Sequence, residues 1–460
     1  MQADRTELFE TMPVRQAVLR QIVPSVISQM IGLIYTLVDT FVVGWLNDPV
    51  QTAAVTVAIP FFVLTTAIAN LFGVGGAAAL AQALGRHETD SVRSISAITA
   101  WFSLLAGILF ALLTRLFLGR FAVLIGATEE TFSAVCGYLT WTVIISAPMT
   151  VTSLALANLV RAEGSAFAAS FGSCLGGVLN MLLDPLFVLP QFLGRGAVGA
   201  GMATGISNWV SCLFFLTYIL LSRRTVLTVS PVLLKDTRRY LGTILLIGFP
   251  ASVQYALTVV AAAALGKFVS VYPTEAVAGM GIARKLVESP LYFAIGVANG
   301  LLPILSYNYG SGNQERRREA FRFGCMIAIG CSLIFLLLFE TAAPFFCRLF
   351  IREEATVAYA AAFLRIQVLA QPLVAVNYPL IVHFQAMGKV RESLICSILR
   401  KGTLDIPLLF IADRLYPLYG LMWVQFLVDT LALVMALTMY RRINRSLSLP
   451  GGGSGDKTEN

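Results

Sequence analysis

The sequence predicts an all-α integral membrane protein: twelve transmembrane helices in two six-helix repeats, with a cavity between the two bundles. Three observations carry this. Hydrophobic residues make up 57% of the 460 residues and charged residues only 13%, where a soluble domain carries about a quarter charged. Mean hydropathy is +0.78, and several apolar runs exceed the roughly 20 residues needed to span a bilayer. The second half also repeats landmarks of the first at a steady offset.

Charged and Gly/Pro-rich breaks divide the chain into its elements. Residues 1–17 are polar and charged, unlike a signal peptide, and read as a cytoplasmic segment. The first six spans, approximately 18–46, 52–84, 92–118, 131–160, 165–190 and 197–222, form an N-lobe over 18–222. The stretch 223–239, with "LLKDTRRY", reads as a cytoplasmic linker. Spans at 240–269, 276–308, 318–340, 355–386, 391–412 and 417–440 form a C-lobe over 240–441. Residues 442–460, ending in "GGGSGDKTEN", read as a flexible tail.

The halves match at an offset of 221 to 226 residues. "VPSVISQ" at 23 recurs as "FPASVQ" at 249. Gly75 and Gly85 are spaced like Gly300 and Gly310, Pro148 and Gly164 like Pro372 and Gly388, and Asp184 and Gly199 like Asp405 and Gly420. An even number of spans per repeat gives both halves one orientation, the parallel-repeat pattern of transporters. With cytoplasmic termini, 21 Lys and Arg fall on the inside and 7 on the outside, in keeping with the positive-inside rule.

Juxtamembrane bases account for the net charge of +8, so no nucleic-acid partner is implied. The seven Cys are scattered, mostly in apolar runs, without metal-ligand spacing, and read as free thiols.

An ionisable group at mid-bilayer costs a few kcal/mol even on the gentler scales, so it has a task or a partner. Asp39, in the first span, and Asp184, in the fifth, have no basic residue within a turn. Asn180 stands four residues before Asp184, on the same helix face. Pro185 lacks the backbone donor that residue 181 would bond. Two carboxylates, an amide oxygen and a freed carbonyl make a hard-oxygen site for Na⁺ or a proton. The plainer reading is that Asp39 caps a kink and Asp-Pro ends a helix. In the second half, Arg284 with Glu288 and Lys401 with Asp405 have the spacing of intrahelical ion pairs. Arg365, His383 and Arg400 lack a local partner and either snorkel, find tertiary partners, or line the cavity with positive charge. Asp429 also lacks a local partner.

The stretches "YTLVDTFVVG", "RAEGSAFAASFGSCLGGVLNMLLDPLFVL", "GAVGAGMATGIS", "GFPASVQ" and "PILSYNYGSGNQERRREA" resemble the bacterial branch of the multidrug and toxic compound extrusion (MATE) family. The likeness runs over roughly residues 15–440 and is most specific from Arg161 to Thr204. It implies two six-helix lobes around a central cleft. It also implies a secondary transporter of the cytoplasmic membrane that exports bulky, often cationic or aromatic small molecules against H⁺ or Na⁺. The positions matching the family's ion site are Asp39, Asn180, Asp184 and Thr204, which would also hold the metal if the ion is Na⁺; Tyr35 lies one turn before Asp39. Some members carry acidic residues on helices 7 and 10. This chain departs from that pattern, which assigns coupling to the N-lobe. No cofactor beyond the ion is expected, and a monomer suffices.

The main rival is a flippase or exporter of an anionic or lipid-linked substrate, which the bases Arg284, Lys285, Arg365, Arg400 and Lys401 keep open. An enzyme is disfavoured: the chain has two histidines and no nucleophile or metal motif. A channel suits the repeat and the buried carboxylates less well.

Overall fold

The computed structural model describes residues 7–448. Residues 1–6 and 449–460, parts of the expected cytoplasmic segment (1–17) and flexible tail (442–460), lie outside the described residues, whereas 442–448, expected as tail, continue the last helix. The first half contributes α1 (Val14–Gly44), α2 (Pro49–Gly85), α3 (Thr89–Leu116), the bent pair α4 (Phe132–Ile145 with Ala147–Ala162), α5 (Ala166–Val188) and α6 (Gly196–Leu221). The second contributes α7 (Thr237–Val269), α8 (Thr274–Gly310), α9 (Gln314–Arg348), the bent pair α10 (Glu354–Val368 with Gln371–Ala386), the interrupted α11 (Val390–Ile398, Leu399–Thr403 and Asp405–Leu415) and α12 (Tyr419–Ser448).

Among the described residues, nine helices are long and apolar enough to cross a membrane, and the two bent pairs bring the number to eleven. The remaining expected span, 391–412, is α11. It is broken by a π turn at Leu399–Thr403, where Lys401 leaves helical geometry (φ −134°, ψ 25°). The bends of α4 and α10, 49° and 45°, fall just before Pro148 and Pro372, whose rings cannot continue a preceding turn.

The halves meet through α1 against α8 and α2 against α7 and α8. Contact is tightest at the end where α1 begins and α12 ends. There α2 is almost continuously buried from Phe72 to Gly85, and α8 from Ala294 to Asn308, whereas their other halves are buried only at intervals. Four glycines permit the approach. A Cβ on Gly85 would strike the Tyr307 carbonyl, and one on Gly310 the Gln82 carbonyl. A Cβ on Gly75 would meet the backbone at Gly248, and one on Gly300 the backbone at Ile22. Each contact is the other's counterpart in the repeat, so the interface has local twofold symmetry. Small residues at such crossings let helices pack closely in lipid. At the far end the halves touch at Phe41 and Phe350, with ring centroids 6.3 Å apart.

The N-terminal segment lies across the tight end. Glu7–Thr11 form one π-helical turn with Leu8 and Phe9 buried. Phe9 stacks on Tyr307, Glu10 accepts from the Tyr307 hydroxyl, and Leu8 packs beside Gly164. Arg316 donates to the carbonyls of Leu8, Phe9 and Met12. Leu8, Phe9, Glu10 and Met12 therefore tie this segment to both halves. The first helix begins at Val14, four residues earlier than expected.

Candidate functional site

The N-lobe site is built from α1, α5 and α6. Gly177 on α5 brings Ile31 and Tyr35 of α1 close, which sets the two carboxylate-bearing helices side by side. Asp184 is fully buried and Asn180 nearly so. With its oxygen turned toward α6, the Asn180 amide accepts from the Thr204 hydroxyl at 3.3 Å and donates to Asp184 Oδ2 at 3.2 Å. The Asp39 carboxyl lies within hydrogen-bonding reach of Asp184. Asp39 Oδ1 is buried and has no hydrogen-bond partner. Among the described residues no Lys or Arg forms an ion pair with either carboxylate; Lys285 of α8, paired with Glu288, is the base near enough to act on Asp39 through space. Two carboxyls that face each other cannot both stay charged in a dry site without a cation. A shared proton or a small monovalent cation meets that need, and the amide and hydroxyl supply further oxygens.

All four predicted ion-site residues thus come together. Pro185 sits inside α5, which continues through it to Val188; the helix loses a donor there without breaking. Tyr35 lies near both carboxyls, and so does Tyr138 of α4. Sequence reasoning missed Tyr138: a tyrosine in an apolar span carries no periodic signal, and only the packing of α4 on α6 reveals it.

Between the halves, Tyr292 on α8 has Tyr35, Tyr255, Tyr378 and Glu288 as its electrostatic neighbours. Four tyrosines and one carboxylate are thus gathered near one another from α1, α7, α8 and α10. Of these residues, only Tyr35 and Glu288 were singled out from the sequence.

The C-lobe charges depart from expectation in several places. Glu288 pairs with Lys285 at 4.0 Å, not with Arg284, which is exposed on α8; the i,i+3 step falls on the same face here. Lys401 does not pair with Asp405, because the π turn carries its side chain toward α12, where it donates to Gln425 Oε1 at 2.8 Å. Arg400 is buried rather than lining the cleft. Its Nε donates to Asp429 Oδ1 at 2.6 Å and its guanidinium lies 4.4 Å from the Tyr378 ring centre. Asp429 also accepts from Asn377 at 3.2 Å. Arg365 is exposed and donates to the Glu340 carbonyl at the kink of α9. His383 is buried against Arg317, Phe321 and Tyr440.

The MatE family model matches residues 24–186 and again residues 250–411. The chain belongs to the MATE family. It is therefore a multi-pass membrane transporter and not an enzyme. The double match follows the internal repeat. Among relatives, the chain is 26% identical over 437 residues to the multidrug export protein MepA of Staphylococcus saprophyticus, covering 95% of this chain and 96% of that one. It is 27% identical over 442 residues to MepA of Staphylococcus aureus strain NCTC 8325, with the same coverage. Among solved structures, an outward-facing MATE transporter of the MOP superfamily superposes with a TM-score of 0.90 at 23% identity, over 96% of this chain and 98% of that one. A MATE structure in complex with MaL6 gives 0.91 at 24%, with equal coverage. A MOP-superfamily transporter from Pyrococcus furiosus gives 0.90 at 23%, over 97% and 99%. The two-lobe architecture around a cleft is that of the MATE fold.

Proposed function

We propose that this chain is a cation-coupled antiporter of a bacterial cytoplasmic membrane. It exports bulky cationic or aromatic compounds by alternating access, with both termini in the cytoplasm. The unpartnered Asp39 Oδ1, buried beside Asp184 with no base joined to either, carries the reading. A buried carboxyl pair that no base joins, with Lys285 already paired to Glu288, is left short of positive charge, which a mobile ion supplies. The MepA relatives' names support drug export.

In this reading Asp39, Asn180, Asp184 and Thr204 take up H⁺ or Na⁺ from outside. Neutralising the pair removes the reason for α1 to hold its present packing on α5. Helix α1 then repacks and substrate leaves the tyrosines around Tyr292. The N-lobe (18–222) and C-lobe (240–441) rock about the linker 223–239, the ion is released inside, and new substrate binds. Ion and substrate couple because each prefers a different state. The protein acts as a monomer, and the ion is the one non-protein partner required besides substrate and bilayer. Burial of Arg400 on Asp429 takes one base away from the rival anionic-substrate reading.

The test is a liposome assay with a fluorescent aromatic cation, imposing a proton gradient or a sodium gradient separately. Transport driven by one gradient and lost in both Asp39→Asn and Asp184→Asn is expected. Coupled transport that survives unchanged in either variant would overturn the site assignment.

A further inference from the structure

The N-lobe ion site has a counterpart in the second half. Lys401, Asp405 and Gln425 each stand 221 residues after Asn180, Asp184 and Thr204. The correspondence extends to geometry. As the Asn180 amide meets the Thr204 hydroxyl between α5 and α6, so the Lys401 ammonium meets the Gln425 amide oxygen between α11 and α12. Asp184 and Asp405 are both buried, and Asp405 Oδ2 has no hydrogen-bond partner.

The charge differs. The first set holds two carboxylates and no joined base. The second holds Asp405 and Asp429 against Lys401 and Arg400, two negative charges against two positive. Gln425 links the parts: its oxygen faces Lys401 and its amide donates to Asp429 Oδ2. The position that corresponds to Asp39, 226 residues on, is Leu265. A hard-oxygen cluster in a dry interior needs positive charge. One half leaves that need to a mobile ion. The other meets it covalently, with an ammonium on a side chain that the π turn swings into the site.

We propose that the second half-site is a plugged ion site: the Lys401 ammonium is a tethered cation bonded to Gln425 in the field of Asp405 and Asp429, and its removal opens a site for a small monovalent cation. The transporter therefore carries one exchangeable site, not two. The inference borrows from the proposed N-lobe role only the comparison. Its test reads stability and not transport, so the two can fail separately.

The experiment uses the full chain in detergent, with Asp39→Asn and Asp184→Asn already in place so that the N-lobe cannot answer to added ions. Melting is followed by tryptophan fluorescence in NaCl, methylammonium chloride or choline chloride at equal ionic strength, and across pH. Adding Lys401→Ala is expected to lower the melting temperature. Na⁺, methylammonium or acid, the last by protonating Asp405, should restore at least half of the loss in a saturable way; choline should not. Adding Asp405→Asn to Lys401→Ala should recover stability without any cation and abolish the response. If Lys401→Ala gives too little folded protein, Lys401→Gln, which keeps a donor for Gln425 but no charge, is read in the same way. A lysine variant that melts like its parent, or a loss that neither cations nor acid recover, overturns the proposal.

Discussion

Phe9 lies flat on Tyr307, with ring centroids 4.5 Å apart and planes within 10° of parallel. The N-terminal turn is thereby fixed to the tip of α8, while Gln21 of α1 donates to the Gly164 carbonyl after α4 at 2.9 Å. Residues 7–21 are thus fastened to both halves where they close on each other.

Loosening this strap should favour the state in which that end opens. Phe9→Ala removes a buried aromatic side chain, a change that costs about 3–5 kcal/mol in a packed core. Spin labels at the exposed residues Asp90 and Glu315 are expected to show a larger long-distance population in Phe9→Ala than in the parent. Identical distance distributions would show that the strap only decorates the surface.

The Arg400–Asp429 pair should behave as a buried pair does. Removing one partner strands a charge and costs about 3–5 kcal/mol, whereas replacing both with apolar residues costs much less. Melting of Arg400→Leu, Asp429→Asn and Arg400→Leu with Asp429→Leu decides this. A double variant as unstable as the sum of the singles would mean that the two groups act independently.

Bulk at the glycine crossing between α2 and α7 should be tolerated poorly. A Cβ on Gly248 lands on the Leu71 carbonyl, so Gly248→Val is expected to cost several times more stability than Gly281→Ala. Nothing lies within 4 Å of a Cβ at Gly281. There alanine should be neutral or stabilising by about 0.5–1 kcal/mol, the helix-interior difference between the two residues. Equal melting temperatures for the two variants would show that the crossing yields to bulk.

Tyr292 should contribute to recognition of aromatic cations. A cation over an aromatic face is worth about 0.5–2 kcal/mol, so Tyr292→Ala should weaken binding of a fluorescent cation by roughly 2- to 30-fold, while Tyr292→Phe retains most of it. Fluorescence polarisation on the purified protein measures both. Equal affinity in the parent and the alanine variant would remove Tyr292 from the proposed substrate contacts.

The spans and the facing carboxyls were legible in the sequence for one reason: lipid penalises charge, so Asp39 and Asp184 stand out against an apolar background. Asn180 and Thr204 followed from helix spacing and from resemblance. Tertiary pairing was not legible. Arg400 and Asp429 lie 29 residues apart, and no local pattern links them. Lys401 was assigned to Asp405 on the assumption of a regular helix, and the π turn at 399–403 breaks that spacing. Glu288 found Lys285 rather than Arg284 because both are within reach on one helix and the spacing does not choose between them. The tyrosines around the cleft were hidden for the opposite reason, since an aromatic ring is unremarkable in an apolar helix until its neighbours are known.

The paired glycine crossings at the tight end also bear on leakage. Gly85 rests on Tyr307 and Gly310 on Gln82, two copies of one contact on either side of an axis. A rotation that releases one releases the other, and a tilt that eases one compresses its twin. In the proposed antiport cycle, such an arrangement disfavours a half-parted state through which the coupling ion could slip without cargo. Local twofold symmetry at this crossing would then act as a safeguard for the gradient that drives the proposed export.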